Sequence, residues 1–76
     1  MDGLDKLYVT IGDKIKKLRT EEGISQLDLG NWVGKSANQI GRIERAEGNP
    51  TVKTLYAIAQ HYKIDICEFF KPEENE

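Results

Sequence analysis

Apolar residues recur along this chain at helical intervals, in five short runs separated by residues that start or stop helices. In the first run Ile11, Ile15 and Leu18 share a face, Thr10 stands where a cap would open the helix, and Gly23 suits its end. A left-handed conformation at that end is cheap only for glycine. Ser25, with Asp28 three residues on, forms a capping-box pair ahead of Leu29 and Val33, and Gly34 closes that run. Ser36 with Gln39 repeats the device ahead of Ile40 and Ile43. Gly48-Asn49-Pro50 breaks the chain, and Thr51 opens a fourth run with the stripe Leu55, Ile58, Ala59 and Tyr62. Asp65 and Glu68 open a last short helix carrying Ile66, Phe69 and Phe70. No useful length alternates with period two, so strands are not expected. The pattern predicts an all-α, compact five-helix bundle over residues 10–70. Residues 1–9 read as a loosely ordered N-terminal arm and residues 71–76 as a frayed acidic C-terminal tail.

The stretch Gln26–Arg45 is the informative one. Its two helices are separated only by Gly34-Lys35-Ser36, and so short a turn forces a steep crossing, as in a helix-turn-helix. Gly30 falls where the second helix would touch the third, and a large side chain there would push them apart. Leu29, Val33, Ile40 and Ile43 fill the angle between them.

Length and charge narrow the choice. Seventy-six residues make one domain with a small core. No apolar run approaches a membrane span, and no charged segment followed by an apolar one opens the chain, so no secretory leader is expected. The one cysteine, Cys67, has no internal disulfide partner, and no His/Cys cluster suggests zinc, so no metal or other cofactor is expected. A reducing cytoplasm is the expected compartment. No nucleophile–base pair is visible, so an enzyme is not expected. Cys67 and the one histidine, His61, read as packing at helix edges.

The net charge of −2 argues against a nucleic-acid partner until its distribution is read. Residues 10–63 hold nine basic residues (Lys14, Lys16, Lys17, Arg19, Lys35, Arg42, Arg45, Lys53, Lys63) against six acids (Asp13, Glu21, Glu22, Asp28, Glu44, Glu47). The acids Asp65, Glu68, Glu73, Glu74 and Glu76 gather at the C-terminal end with only Lys71 to oppose them. The body is therefore mildly basic and its end acidic.

The segments IGDKIKKLR, GISQLDLGNWVGKSANQIGRIERAEGNPTVKTL and IAQHYKIDICEFF together resemble the phage Cro/repressor (XRE) type of helix-turn-helix domain, over about residues 10–70. The resemblance implies a lambda-repressor-like bundle that binds duplex DNA as a homodimer, with the third helix in the major groove. It also implies a partly buried salt bridge between Arg19 and Glu44 and a phosphate contact from Gln26. An amide beside a helix N-terminus suits an anion. On the third helix, Ala37, Asn38, Gly41 and Arg42 are the expected base-reading positions. Asn pairs bidentately with adenine, Arg with guanine, and the Ala methyl suits that of thymine. Lys35, Gln39, Arg45, Asn49, Lys53 and Thr54 flank that helix and are the expected phosphate contacts. Ile66, Phe69 and Phe70 crowd one short helix and are the expected dimer interface.

Two positions depart from the family pattern. Ala46 stands where a glycine is usual after Ile-Glu-Arg, which suggests one more helical turn ending at Gly48. Gly41 stands where a small polar residue is usual. Glycine inside a helix costs about 1 kcal/mol against alanine, so close approach to DNA is its expected reason. Trp32 falls one position before Val33, where it would cover the joint near Leu7 and Tyr8 or join a partner surface. Two readings of function stay open. One is a sequence-specific, homodimeric transcriptional regulator on a double-stranded operator. The other is an antitoxin-type protein-binding module that masks a partner toxin, with the acidic end and Trp32 as its working surface.

Overall fold

The computed structural model describes residues 2–72. Within them lie four α-helices, α1 (Gly3–Glu22), α2 (Gln26–Val33), α3 (Ala37–Glu44) and α4 (Val52–Tyr62), followed by a 3₁₀ helix, Ile66–Phe70. No strand occurs among the described residues. The fifth helical segment expected from Asp65 is present but wound as 3₁₀, with the Asp65 carboxylate accepting the Cys67 N–H at 2.8 Å. Glu73, Glu74 and Glu76, which carry most of the expected acidic tail, lie outside the described residues.

The first helix begins seven residues before Thr10. Asp2 caps it, accepting the Asp5 N–H at 2.8 Å, while the Thr10 hydroxyl donates back to the Lys6 carbonyl at 3.0 Å within the helix. The supposed arm is therefore two further turns of α1. The physical reason is that Leu7 and Tyr8 continue the stripe of Ile11 and Ile15 and pack against the core.

Ile11, Ile15, Leu29, Ile40, Ile43, Leu55, Ile58, Ala59 and Phe69 form the buried core. α1 packs on α3 and on the 3₁₀ helix, α2 on α3 and α4, and α4 on the 3₁₀ helix. Of the three residues expected at a dimer interface, Phe69 is fully buried within the chain itself, Ile66 is half-buried and Phe70 is exposed. Phe69 thus completes the single chain's core and has no surface to offer a second copy. Trp32 is half exposed, and its ring lies on that of His61, with centroids 4.2 Å apart. Its packing partner is therefore on α4. His61 Nε2 in turn stands 3.2 Å from Glu22 Oε1, which ties the end of α1 to the same cluster.

The end of α3 departs from expectation in an instructive way. No extra turn follows. Arg45 caps the helix and Ala46 itself takes the left-handed conformation, at φ 58°. The Ala46 N–H reaches the Ile43 carbonyl at 3.1 Å and the Glu47 N–H the Arg42 carbonyl at 2.8 Å. Those two bonds define the helix ending in which glycine is the usual residue. The satisfied carbonyls outweigh the strain of a Cβ in that conformation, a cost of about 1–2 kcal/mol. Ala46→Gly is accordingly expected to raise stability by about 0.5–1 kcal/mol, the relief of strain being reduced by the freer unfolded chain. Urea denaturation of the two proteins checks this, and a less stable Ala46→Gly protein contradicts the strain.

Candidate nucleic-acid interface

The two central helices are set by matched devices. Ser25 accepts the Asp28 N–H at 3.0 Å while Asp28 accepts the Ser25 N–H at 3.3 Å. Ser36 accepts the Gln39 N–H at 3.1 Å while Gln39 Oε1 accepts the Ser36 N–H at 2.8 Å. Between them Gly34 turns the chain at φ 74° and the Lys35 N–H closes onto the Gly30 carbonyl at 2.8 Å. The result is a helix-turn-helix in which Ile40 and Ile43 hold α3 to the core while Asn38, Gln39 and Arg42 stay exposed. Ala37 and Lys35 are half-buried at its start.

Behind this face lies a polar hub. The carboxylate of Glu44, 2% exposed, accepts Arg19 Nε at 2.6 Å on one oxygen. The other oxygen accepts Arg19 Nη2 at 3.0 Å and Gln26 Nε2 at 3.1 Å. Arg19 Nη1 reaches on to the Ile24 carbonyl at 2.8 Å. One carboxylate thus joins α1, the turn before α2, the first residue of α2 and the end of α3. The Glu44 hydrogen bond holds the Arg19 guanidinium above its ordinary pKa. Gln26 is half-buried and anchored to the protein through its amide nitrogen.

Gly41 is buried, and side chains rather than open space lie over it. A Cβ there would meet Arg45 Nη1 at 2.9 Å and both polar atoms of the Gln26 amide at 3.2 Å. The missing side chain makes room for two neighbours of the same chain, which sequence spacing did not suggest. Thr54 is likewise buried, its hydroxyl 3.0 Å from that of Thr51 and its N–H donating to the Thr51 hydroxyl at 3.1 Å. It serves the cap of α4, with only 5% of its surface open. Lys53, Asn49 and Arg45 are exposed. Lys35, Gln39, Arg42, Asn49 and Thr51 line a cleft of about 300 Å3 between α3 and the start of α4.

Two residues that matter here were not singled out as sites in the sequence. Gly12 lets α1 rest directly on the end of α3, where a Cβ would stand 2.5 Å from the Ile43 carbonyl oxygen. Its signal was a glycine in the middle of an apolar helical stripe. Glu47 accepts Arg45 Nε at 3.1 Å, and this bond holds its carboxyl below the usual carboxylate range, with Arg42 adding to the effect. No group of metal-ligating side chains is placed to hold an ion among the described residues. Nor is any helix among them long and apolar enough to cross a membrane.

Two closely packed helices joined by a three-residue turn, the second presenting polar residues outward, define a helix-turn-helix domain. The helix-turn-helix family model matches residues 15–69, and the chain belongs to that family, in its phage Cro/repressor (XRE) type. It is 32% identical over 72 residues to the HTH-type transcriptional regulator SutR of Escherichia coli, spanning 95% of this chain and 40% of that protein. It is 33% identical over 64 residues to an uncharacterized HTH-type transcriptional regulator, y4dJ, of Sinorhizobium fredii, spanning 84% and 83%. The immunity repressor protein of Bacillus phage phi105 is 33% identical over 58 residues, spanning 76% of this chain and 40% of that protein. Among solved structures, the restriction-modification controller protein C.AhdI from Aeromonas hydrophila superposes with a TM-score of 0.81 at 26% identity, covering 91% of this chain and all of that one.

Proposed function

We infer that this protein binds duplex DNA sequence-specifically as a homodimer and acts as a transcriptional regulator, with α3 in the major groove. The observation that carries the reading is the two-sidedness of α3. Ile40 and Ile43 are buried while Asn38 and Arg42, four residues apart on one face, stand exposed beside the basic cleft. Regulators and a restriction-modification controller among the relatives support it. Gln26 at the start of α2, and Lys35, Asn49 and Lys53 around the cleft, supply the phosphate contacts that set the register. Ile66 and Phe70 offer apolar surface for a second copy. The rival role, masking a toxin, relied on the acidic end and on Trp32. That end lies largely outside the described residues, and Trp32 is half covered by His61.

Selection of bound sequences from random duplex supplies the test site, which should be an approximate palindrome with half-sites about 34 Å apart. Asn38→Ala and Arg42→Ala are expected to lose about 1–3 kcal/mol on that site and to relax preference at one or two base pairs per half-site. Lys53→Ala should weaken selected and random duplexes alike. Anisotropy titrations compare these variants, and sedimentation with Phe70→Ala follows the dimer. If the two α3 variants, folded by circular dichroism, bind the selected site as tightly as wild type, α3 is not the reader.

A further inference from the structure

The geometry points to Glu47 as an internal counter-ion that competes with DNA phosphates for Arg45 and so sets how tightly, and with what salt dependence, the domain holds duplex of any sequence. The inference rests on the DNA-binding reading above. Three local features build the device. Gly41 has no side chain, and Arg45, one turn further on, lies over its Cα beside the Gln26 amide. Ala46 in its left-handed conformation reverses the chain directly after α3. That reversal brings Glu47 back over the same face. Its carboxylate accepts Arg45 Nε at 3.1 Å and its carbonyl accepts Arg42 Nη2 at 3.3 Å. Two cations of the proposed reading face are therefore each engaged through one N–H by one residue of the same chain.

The Arg45 and Glu47 side chains are 53% and 54% exposed. An exposed pair contributes little to folding, so the fold does not require this one and a phosphate can displace it. The consequence is electrostatic. Non-specific binding is almost wholly the exchange of counter-ions for Lys and Arg. On any duplex, a phosphate that reaches Arg45 competes with Glu47 for it, and the carboxylate then faces the same anionic backbone. On the cognate site the base contacts of Asn38 and Arg42 add affinity that random sequence does not supply. The penalty falls on cognate and random duplex alike, because phosphates carry no sequence information, so Glu47 lowers overall affinity and leaves the ratio between the two unchanged.

The test is Glu47→Gln, which keeps the shape and removes the charge. Its melting temperature should stay at the wild-type value. Its affinity for random duplex should rise on the order of tenfold per dimer at low salt, as two unit charges near phosphates in water imply. The slope of log K against log salt should steepen by about one per subunit, because each freed Arg45 gains a phosphate. Affinity for the selected site should rise by a similar factor, leaving the ratio of selected-site to random affinity near the wild-type value. In an Arg45→Ala background the same substitution should leave the slope unchanged. Glu47→Gln with wild-type random affinity and slope overturns the counter-ion role while DNA binding itself stands. Loss of selected-site affinity alone overturns it too, making Glu47 a base contact. Wild-type protein that binds no duplex removes the DNA-binding reading, and this inference with it.

Discussion

Glu44→Ala is expected to lose about 3–5 kcal/mol of folding stability, because it strands a largely covered guanidinium. The Glu44 side chain is 2% exposed and that of its partner Arg19 13%, so water cannot readily replace the lost bonds without opening the structure. Arg19 would lose both its bonds to Glu44, and Gln26 would lose the acceptor that holds its amide. Domains of this size carry total stabilities of about 5–15 kcal/mol, so a loss of this order leaves a substantial unfolded fraction near 37 °C. Arg19→Ala should cost a similar amount for the converse reason. A double variant, Arg19→Met with Glu44→Leu, should recover most of it, since a well-packed apolar pair replaces an ion pair at little cost. Chemical denaturation of the four proteins decides this. Single variants within about 1 kcal/mol of wild type would show that the pair behaves as an exposed one.

Gly30→Ala should cost about 3 kcal/mol, with a matching loss of duplex binding, although the residue points at no DNA. A Cβ at Gly30 would press into the Lys35 carbonyl oxygen and stand 3.2 Å from the carbonyl carbons of Lys35 and Ser36. The obstacle is backbone, so no side chain can rotate aside. Relief requires the turn to shift, and that turn carries Ser36, the cap of α3. The better helix propensity of alanine, about 1 kcal/mol, offsets only part of the strain. Gly12→Ala meets the same kind of obstacle, 2.5 Å and 2.8 Å from the carbonyl oxygens of Ile43 and Glu44. Gly41→Ala makes the informative contrast, because only the ends of Arg45 and Gln26 stand in its way. Thermal melts should therefore rank Gly30→Ala and Gly12→Ala far below Gly41→Ala. A Gly30→Ala protein as stable as wild type would mean the turn is softer than its geometry implies.

The centre of this protein was legible from its residues. The caps at Ser25 and Ser36 are each spelled by residues three apart, that at Thr51 by its place before an apolar stripe, and all three stand where they were read. The inward positions Leu29, Ile40, Ile43, Leu55, Ile58 and Ala59 are buried. Caps and helical stripes are local, their partners lying within a turn or two, so short-range spacing is enough to find them. The start of α1 was local too, but Asp2 and Asp5 are a weaker cap signal than Ser with Asp or Gln. The decisive support comes from Leu7 and Tyr8 against a core built from the far end of the chain. The same holds for the share-out between Phe69 and Phe70. Spacing shows two aromatic residues on one short segment, and only the docking of that segment on α1 and α4 turns Phe69 inward.

The reading face divides along the same line. That Asn38 and Arg42 point away from Ile40 and Ile43 follows from helical periodicity alone. That Gln26 is tied to Glu44 and lies over Gly41 depends on chain segments brought together by folding, whereas Arg45 over Gly41 and Glu47 on Arg45 are local and follow from the left-handed turn at Ala46. Ala46 shows the limit most clearly. Its intrinsic preference for the right-handed region predicted another helical turn, and the closed hydrogen bonds of the turn overrode it. A residue's own conformational preference is worth about 1–2 kcal/mol, which the two hydrogen bonds that close the helix end can reverse. A repeating stripe sums that preference over a whole helix and is not reversed so easily.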